Sequence, residues 1–247
     1  MGSVRHLLCV DLESWVFSKK MNEKNLSVRE LRALDGGYTL EALDYLLQML
    51  RRYDQTLTFF VVTKLEELYP GMLQRILDAG HEVGWHTHSH EVIENAEVLR
   101  RQLDQSEKVF ARYPIRGFQA PNVTFVREGY HILKDYGFLY SSSVYGNAAM
   151  LYNFDGVYEI PVSTARTNVR PKPDEMRFPS DMRIQTIRQF GIPYGSSFFW
   201  SIAGPRYYAR KLREAERESR ICNLFIHEWQ LVTPRSAEYK KDISIMS

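Results

Sequence analysis

The chain has 247 residues, of which 44% are hydrophobic and 25% are charged, proportions typical of a globular protein with a full hydrophobic core. Its 32 Lys and Arg residues are balanced by 30 Asp and Glu residues, so no strong overall field attracts nucleic acid. The apolar run near the start, "LLCV", is far too short for a signal-peptide core or a spanning helix. We therefore expect one domain over residues 1–247, located in the cytoplasm, with no nucleic-acid partner and no integral membrane segment.

Seven short apolar runs, rich in β-branched and aromatic residues, predict buried parallel strands. In chain order they are "HLLCVDL", "TLTFFVV", "EVGWH", "RGFQAP", "FLYSSSV", "GVYEIPV" and "ICNLFIH". Helical patterns lie between them: "YTLEALDYLLQMLRRY", with Leu40, Leu43, Leu47 and Leu50 on one face, "KLEELYPGMLQRILDAG", and "ENAEVLRRQLDQSEKVFARY". This alternation predicts an α/β fold whose parallel sheet is closed, or nearly closed, into a barrel.

Two segments have no clear periodic pattern. The stretch Thr164–Pro205 is too long for a plain connection, and we expect it to pack as an irregular rim over one barrel mouth. The polar tail Pro234–Ser247 is expected to fray. Cys9 and Cys222 each lie inside an apolar run, which predicts buried thiols without a disulfide.

Polar residues follow three of the predicted strands at their carboxyl ends, where a parallel barrel places its active site. The first strand runs into "VDLESW", the third into "WHTHSHE", and the last ends at His227 in "LFIHEWQ". Alternation along a strand puts Asp11 and Glu13 on the same face, so both carboxylates can reach one barrel mouth.

The segment "GHEVGWHTHSHE", residues 80–91, contains four of the seven histidines: His81, His86, His88 and His90. A single histidine at a strand end is more often a hydrogen-bonded structural group. However, His86 and His90, four residues apart at a strand-to-helix turn, can point at one ion, and neutral imidazole is a common zinc ligand. If the strand continued instead, His86, His88 and His90 would share a face. Both geometries predict metal binding.

Two other metallohydrolase patterns fit this cluster less well. The metallo-β-lactamase pattern His-x-His-x-Asp-His fails, because His90 stands at the Asp position and Glu91 at the last His position. An amidohydrolase barrel has its His-x-His pair on the first strand, whereas here the pair follows the third. Such enzymes also usually need a longer chain.

The motifs "TLTFFVVTKLEEL", "LDAGHEVGWHTHSH", "GFQAP" and "LFIH", in this order, resemble the polysaccharide deacetylases with a NodB homology domain, carbohydrate esterase family 4. The resemblance covers the chain from about Leu7 to Leu231, and "GHEVGWHTHSH" is similar to the family's His-Thr/Ser-x-x-His metal motif. It implies a distorted (β/α)7 barrel that forms one catalytic domain. The motifs "VDLESW" and "HEWQL" resemble the branch that deacetylates sugars during O-antigen or capsule assembly.

The resemblance implies a divalent metal site, with Zn²⁺ as the expected ion. It makes His86 and His90 ligands and His88 a spacer that points elsewhere. In most members an Asp next to the catalytic base completes the triad, but that position here is Leu12, which cannot coordinate a metal. Glu13 is the natural substitute, because strand alternation returns it to the required face and its longer side chain can reach the ion.

The resemblance also implies the catalytic groups. Asp11 would be the general base for an attacking water whose pKa the ion lowers towards about 7, and His227 would be the general acid. A backbone N–H after Pro121 would stabilise the charge on the carbonyl oxygen. Gln119 stands where the family has an Arg that pairs with the base, so it can hydrogen-bond Asp11 but brings no positive charge.

Two partners that the family pattern requires are not assigned. The missing positive charge could come from Arg116, Arg166 or Arg170. An Asp that orients the acidic histidine could be Asp155, Asp174 or Asp181, which are candidates only by their order in the chain.

The leading hypothesis is a metal-dependent hydrolase that removes an N-acetyl group from an N-acetylated sugar, which would be a nucleotide-linked or lipid-linked precursor of a surface polysaccharide. Two alternatives stay open: an allantoinase-like hydrolase of a small non-sugar amide, and a catalytically silent carbohydrate-binding module that keeps the metal. The presence of both Asp11 and His227 argues against the silent module. Trp15, Trp85 and Trp229 would suit stacking on a sugar, although large aromatic residues are more often core.

Overall fold

The computed structural model describes residues 6–146, 151–165, 191–218 and 220–242. They group into two compact units, each assembled from separate segments of the chain. The histidine unit, named for the histidine cluster, comprises Val10–Glu91, Arg100–Ile115 and His227–Ser247. The serine unit, named for its buried run Ser141–Ser143, comprises Met1–Cys9, Val92–Leu99 and Arg116–Ile226.

Strands and helices alternate through most of the described chain. The strands are β1 (Leu7–Leu12), β2 (Thr58–Val61), β3 (Glu82–Trp85), β4 (Gly117–Phe118), β5 (Tyr140–Ser141), β6 (Tyr145–Gly146), β7 (Tyr152–Phe154), β8 (Val157–Glu159), β9 (Val162–Ser163) and β10 (Asn223–His227). The helices are α1 (Lys19–Asn22), α2 (Val28–Asp35), α3 (Tyr38–Arg52), α4 (Leu65–Leu68), α5 (Met72–Asp78), α6 (Ala96–Arg112), α7 (Gly129–Asp135), α8 (Ser197–Arg217) and α9 (Ala237–Asp242).

Parallel strand pairing is common to both units. In the histidine unit β2 pairs in parallel with β3, Thr58 facing Glu82. In the serine unit β4, β5 and β8 are parallel neighbours, and β7 is the antiparallel partner of β8. β6 and β9 form a separate parallel pair. These strands and the helices between them confirm the predicted α/β class, and each of the seven predicted runs contains an observed strand.

The segment predicted as one helix, "KLEELYPGMLQRILDAG", contains two helices, α4 and α5. Pro70 lacks a backbone N–H and Gly71 adopts φ 87°, so a single helix cannot continue through them. The buried carboxylate of Glu66 then accepts the N–H of Gly71 at 2.8 Å and the N–H of Leu73 at 3.1 Å, which caps the start of α5.

Two segments predicted to be irregular are partly helical. Helix α8 begins inside the stretch Thr164–Pro205, of which residues 166–190 lie outside the described chain. The tail from Pro234 contains α9 instead of fraying throughout. Tyr239 of α9 is buried, with its ring 6.0 Å from the ring of Trp15. This aromatic contact anchors a helix in a tail whose composition is polar.

The two cysteines agree with the sequence prediction. Cys9 and Cys222 are both buried, and neither takes part in a disulfide. As for membrane association, none of the helices in the described ranges has the length and apolar character needed to cross a bilayer.

Helix α3 packs through a face shifted from the predicted one. Leu43 and Leu46 are fully buried and Leu50 is 4% exposed, whereas Leu40 and Leu47 are only half-buried. The i, i+3, i+7 spacing of the buried leucines is that of an amphipathic helix lying on a core.

We predict that Leu46→Ala lowers the free energy of unfolding by about 2–5 kcal/mol, because lost burial and the remaining cavity both destabilise the fold. The matched control is Leu151→Ala at a side chain that is 65% exposed, which should change this free energy by less than about 0.5 kcal/mol. Denaturant titration followed by circular dichroism measures both. Equal effects would contradict the placement of Leu46 in the core.

A buried carboxylate holds together the strand ends of the serine unit. Glu159, the last residue of β8, is fully buried. Its Oε1 accepts the backbone N–H groups of Ser143 at 2.8 Å and Val144 at 3.2 Å, and its Oε2 accepts the hydroxyl of Tyr130 at 2.9 Å. Burial raises the pKa of Glu159 to about 7, although these donors favour the charged form.

Because folding raises the pKa of Glu159, its stabilising contribution is complete at low pH and is lost as the pH rises through about 7. We predict that, relative to Glu159→Gln, the free energy of unfolding falls by up to about 3 kcal/mol between about pH 5 and about pH 8. Denaturant titrations of both proteins across this range test it. Parallel pH profiles would show that Glu159 does not titrate in this range.

Candidate active site

The carboxyl end of β1 presents two carboxylates on one face. β1 ends at Leu12, whose side chain is fully buried in the core. Asp11 and Glu13 flank it, with 2% of Asp11 and 12% of the Glu13 side chain exposed. Both carboxylates lie close to the same imidazole, as strand alternation predicts.

The chain turns directly after β3, and this turn brings His86 and His90 together. The N–H of His86 still donates to the carbonyl of Val61 at 3.0 Å, as in the strand. Thr87 and His90 then adopt φ angles of 65° and 59°, which extended strands do not contain. The alternative of a continued strand is therefore wrong, and the two imidazole rings lie 5.1 Å apart between centroids.

The other two histidines of the cluster have structural surroundings. Nδ1 of His88 lies 3.2 Å from Oγ1 of Thr63, and burial lowers the pKa of His88 to about 4. Nδ1 of His81 accepts the N–H of Leu57 at 3.4 Å. His88 thus contacts a different part of the histidine unit, which agrees with its expected role as a spacer.

Helix α6 holds the histidine turn from behind. The buried amide oxygen of Gln102 accepts the backbone N–H of His88 at 2.9 Å and of Ser89 at 3.0 Å. On the other side of the turn, the amide of Asn22 donates to the carbonyl of Ser89 at 2.7 Å. Two side chains from separate helical segments therefore satisfy the backbone of an irregular loop.

Glu13, His86 and His90 form a compact set of potential metal ligands. Oε2 of Glu13 lies 3.4 Å from Nε2 of His86 and 2.7 Å from Nε2 of His90. One ligand atom from each residue falls within 4.8 Å of the others. The donor atoms of a tetrahedral zinc ion, bonded at about 2.0–2.1 Å, are about 3.3 Å apart, so the spacing and the chemistry of this set fit zinc.

The electrostatics of this set favour a charged carboxylate. Burial, the largest single influence, raises the pKa of Glu13, and the neighbouring imidazoles of His90 and His227 oppose it. With hydrogen bonds from His86 and His90 added, the pKa of Glu13 lies well below its usual value. Glu13 is therefore available as an anionic ligand.

β10 brings His227 next to both carboxylates. Nε2 of His227 lies 3.7 Å from Oε1 of Glu13 and 3.9 Å from Oδ2 of Asp11. The indole of Trp229 stacks on the imidazole, with centroids 4.6 Å apart and planes 19° from parallel, and its N–H donates to Glu13 at 3.4 Å. Burial lowers the pKa of His227 to about 4, so the neutral imidazole is the resting form.

Asp11 has a different electrostatic environment from Glu13. Burial is the main reason why its pKa is raised well above the usual value, and repulsion from Glu13 and Glu228 adds to it. A carboxylate with a raised pKa accepts a proton more readily than an ordinary Asp does. The pKa of Asp11 is thus raised while the pKa of Glu13 is lowered, as expected for a base and a metal ligand in one site.

Glu228 is a site residue that sequence reasoning misses. It directly follows His227, it is fully buried, and its carboxylate accepts the backbone N–H of Ser14 at 2.8 Å. The sequence feature that could have identified it is an acidic residue directly after the strand that ends at His227. Of the three tryptophans considered for sugar stacking, Trp15 and Trp85 are buried in the core, whereas Trp229 is half-buried beside His227.

Gln119, the expected partner of Asp11, lies in the serine unit and is fully buried after β4. The adjoining residues Pro121–Val123 form a 3₁₀ turn in which Asn122 adopts φ 56°. Within this turn the N–H of Val123 donates to the carbonyl of Ala120 at 3.0 Å. Of the backbone donors after Pro121, the first candidate to contact a substrate oxygen is therefore the N–H of Asn122, and the roles of Gln119 and Asn122 stay predictions.

Two of the candidates for the missing positive charge and the orienting Asp, Arg116 and Asp155, have other partners. Arg116 is exposed and donates to the carbonyl of Gly137 at 3.2 Å. Asp155 pairs with Arg127, Nη2 to Oδ1 at 3.1 Å. Both have surface partners in the serine unit. The remaining candidates, Arg166, Arg170, Asp174 and Asp181, lie outside the described residues.

Comparison with known proteins gives one family match. The polysaccharide deacetylase model matches residues 33–141, a range that includes His86, His90 and Gln119. A peptidoglycan-N-acetylglucosamine deacetylase of Bacillus cereus is 28% identical over 113 residues, 45% of this chain and 40% of the relative. The chain spans about two-fifths of the length of the curated relatives that it matches.

Solved structures share the fold over nearly the whole chain. A Mycobacterium smegmatis protein described as a polysaccharide deacetylase aligns with 100% of this chain and 85% of its own, with a TM-score of 0.62 and 16% identity. The PuuE allantoinase aligns with 96% of this chain and 83% of its own, with a TM-score of 0.55 and 15% identity. At such identities the likeness shows the fold alone, and it confirms the predicted NodB-type barrel. The family match over residues 33–141, the shared fold and the order of the motifs agree, and this part of the chain is similar to the polysaccharide deacetylases of the NodB homology group, carbohydrate esterase family 4.

Proposed function

We propose that this protein is a metal-dependent hydrolase that removes the acetyl group from an N-acetylated sugar. The observation that carries the proposal is the set of contacts around Glu13, whose carboxylate lies between the Nε2 atoms of His86 and His90. Asp11 and His227, a proton acceptor and a proton donor, stand beside this set. A binding module would need the first three residues but not the last two.

Glu13, His86 and His90 would hold the ion, for which zinc is the proposed identity. A zinc ion in such a site polarises a carbonyl oxygen and makes water a stronger nucleophile near neutral pH. The protein's own contribution begins with Asp11, which would take a proton from the water as it attacks the acetamide carbon. The raised pKa of Asp11 suits this role.

His227 would complete the reaction by protonating the departing nitrogen as the C–N bond breaks. Its Nε2 lies 3.9 Å from Oδ2 of Asp11, beyond direct hydrogen-bond distance, so the proton taken from water would reach His227 through a water molecule or the substrate between them. The pKa of about 4 makes the protonated imidazole a strong donor once it forms. Acetate and a free amino sugar are the products, and Asp11 returns to its starting form.

The substrate class rests on two lines of support. The Bacillus cereus relative is named for the deacetylation of N-acetylglucosamine in peptidoglycan, which favours an N-acetylated amino sugar here. The motifs "VDLESW" and "HEWQL" favour the branch that acts during surface-polysaccharide assembly, with a nucleotide-linked or lipid-linked sugar as partner. Within this proposal the protein acts in the cytoplasm, where such precursors are made.

The decisive experiment combines elemental analysis of the purified protein with acetate release from a substrate panel. The panel contains N-acetylglucosamine oligomers, peptidoglycan fragments and nucleotide-linked N-acetylhexosamines. Allantoin, a non-sugar amide whose hydrolysis releases no acetate, is assayed separately for ring opening. Acetate from one of the sugars, lost in Asp11→Ala, supports the proposal. Equal rates for wild type and Asp11→Ala, or turnover of allantoin alone, would contradict it.

We predict that His86→Ala and Glu13→Ala each weaken zinc affinity by more than about 100-fold, because even the loss of an outer hydrogen-bond partner costs about 10–100-fold. His131→Ala, at a histidine side chain that is 67% exposed, is the matched control and should bind zinc as wild type does. Competition with a chromophoric chelator measures the affinities. Unchanged affinity in His86→Ala would remove that histidine from the ligand set.

Asp11→Asn should lower turnover by about 10²–10⁴-fold, the usual contribution of a positioned general base, while zinc stays bound. Glu41→Gln is the control, because Glu41 pairs with Arg235 at 2.7 Å on the surface, away from the site. Steady-state rates and bound zinc are measured on the same samples. Loss of zinc from Asp11→Asn would assign Asp11 to metal binding instead of proton transfer.

A further inference from the structure

The residue directly after Glu13 has an unfavourable backbone conformation. Ser14 adopts φ 55° and ψ 140° at the start of the turn Trp15–Phe17. Positive φ is disfavoured for residues with a Cβ atom, and such conformations persist only where the surroundings hold them. Ser14 is 2% exposed, so the protein itself must supply that hold.

Two buried carboxylates hold Ser14 through hydrogen bonds. Oε1 of Glu228 accepts its backbone N–H at 2.8 Å, and Oγ of Ser14 donates to Oδ1 of Asp35 at 2.7 Å. The second oxygen of Glu228 accepts the N–H of Glu13 at 3.5 Å. Asp35 is itself held by the hydroxyl of Thr39 at 2.6 Å and by the backbone N–H of the same residue at 3.1 Å.

Burying the carboxylate of Glu228 beside Glu13 is electrostatically unfavourable, and packing alone does not explain why an acid stands at this position. Glu228 is fully buried, and burial together with the nearby charge of Glu13 raises its pKa well above the usual value. An apolar side chain of similar size would fill the space without this repulsion. Unlike an apolar side chain, a carboxylate at this position can accept hydrogen bonds from two successive backbone N–H groups.

The direction in which the chain leaves β1 decides where the Glu13 carboxylate points. An ordinary extended conformation at Ser14 would carry the following turn elsewhere and would release the two N–H groups from Glu228. Glu13 would then lose the backbone anchor that keeps its Oε2 within 3.4 Å of His86 and 2.7 Å of His90.

We infer that Glu228 is a positioning residue that fixes the strained Glu13–Ser14 backbone and thereby aims the Glu13 carboxylate at the metal position. The inference rests on the proposed function, because it assigns Glu228 a task in the same metal site. It also accounts for the use of Glu13 in place of the residue at position 12, where Leu12 faces the core.

The test is zinc affinity, measured by chelator competition on folded, metal-free protein. Glu228→Ala should bind zinc about 10–100-fold more weakly than wild type. Glu228→Gln should fall between wild type and Glu228→Ala, since its amide oxygen can still accept the N–H of Ser14 but its amide nitrogen cannot accept that of Glu13. Glu66→Ala is the matched control, because Glu66 is also buried and accepts two backbone N–H groups, but at α5. It should keep wild-type zinc affinity whatever it does to the thermal midpoint.

A second variant distinguishes an effect on the orientation of the Glu13 carboxylate from an effect on the stability of the whole fold. A glycine at position 14 adopts positive φ without strain, although it loses the hydrogen bond from Oγ to Asp35. Glu228→Ala should therefore weaken zinc binding less in a Ser14→Gly background than in wild type. A merely structural role for Glu228 predicts equal losses in the two backgrounds. The thermal midpoints of all variants are measured in parallel.

The outcomes distinguish a failure of this inference from a failure of the proposed function. Zinc binding by wild type with equal affinities in Glu228→Ala and Glu66→Ala would overturn this inference and leave the proposed function intact. An equal loss of zinc affinity from Glu228→Ala in the wild-type and Ser14→Gly backgrounds would also overturn it. No zinc binding by wild type would overturn the proposed function and, with it, the inference.

Discussion

The contact between one buried carboxylate and two imidazoles is the interaction on which the rest of the site depends. Glu13 is largely removed from water, and burial alone would favour its neutral form. His86 and His90 reverse that preference with short contacts to the same oxygen, so the carboxylate stays anionic. The same arrangement of one oxygen and two nitrogen donors is what a divalent ion requires.

This contact joins two segments that are far apart in the chain. Glu13 follows β1, whereas His86 and His90 follow β3, about seventy residues later. Neither segment could hold its geometry alone: the histidine turn needs the amide of Gln102 on α6, and the exit of β1 needs the carboxylate of Glu228 after β10. The ligand set is thus a product of neighbouring strand ends and of the buried polar groups behind them.

The environment also assigns different tasks to neighbouring acids. Asp11 lies on β1 and Glu13 directly follows this strand, yet burial raises the pKa of Asp11, whereas the imidazole contacts together lower the pKa of Glu13. His227 lies within 4 Å of both carboxylates and is covered on one face by Trp229. These different environments are what the proposed mechanism requires of a base, a metal ligand and a proton donor.

The sequence by itself predicted the α/β class and the seven strand positions, because strand alternation and residue chemistry are local properties. The family resemblance added His86, His90 and Glu13 as the expected metal ligands. The sequence could not separate the two geometries of the histidine segment, since the positive φ angles of Thr87 and His90 are imposed by contacts with distant helices. It missed the break between α4 and α5, although Pro70 and Gly71 signal it, and it missed α9, which depends on the contact of Tyr239 with Trp15. Only the tertiary structure places the carboxylate of Glu228 against the backbone of Ser14, because a buried acid can accept these N–H groups only when folding brings them within reach of it.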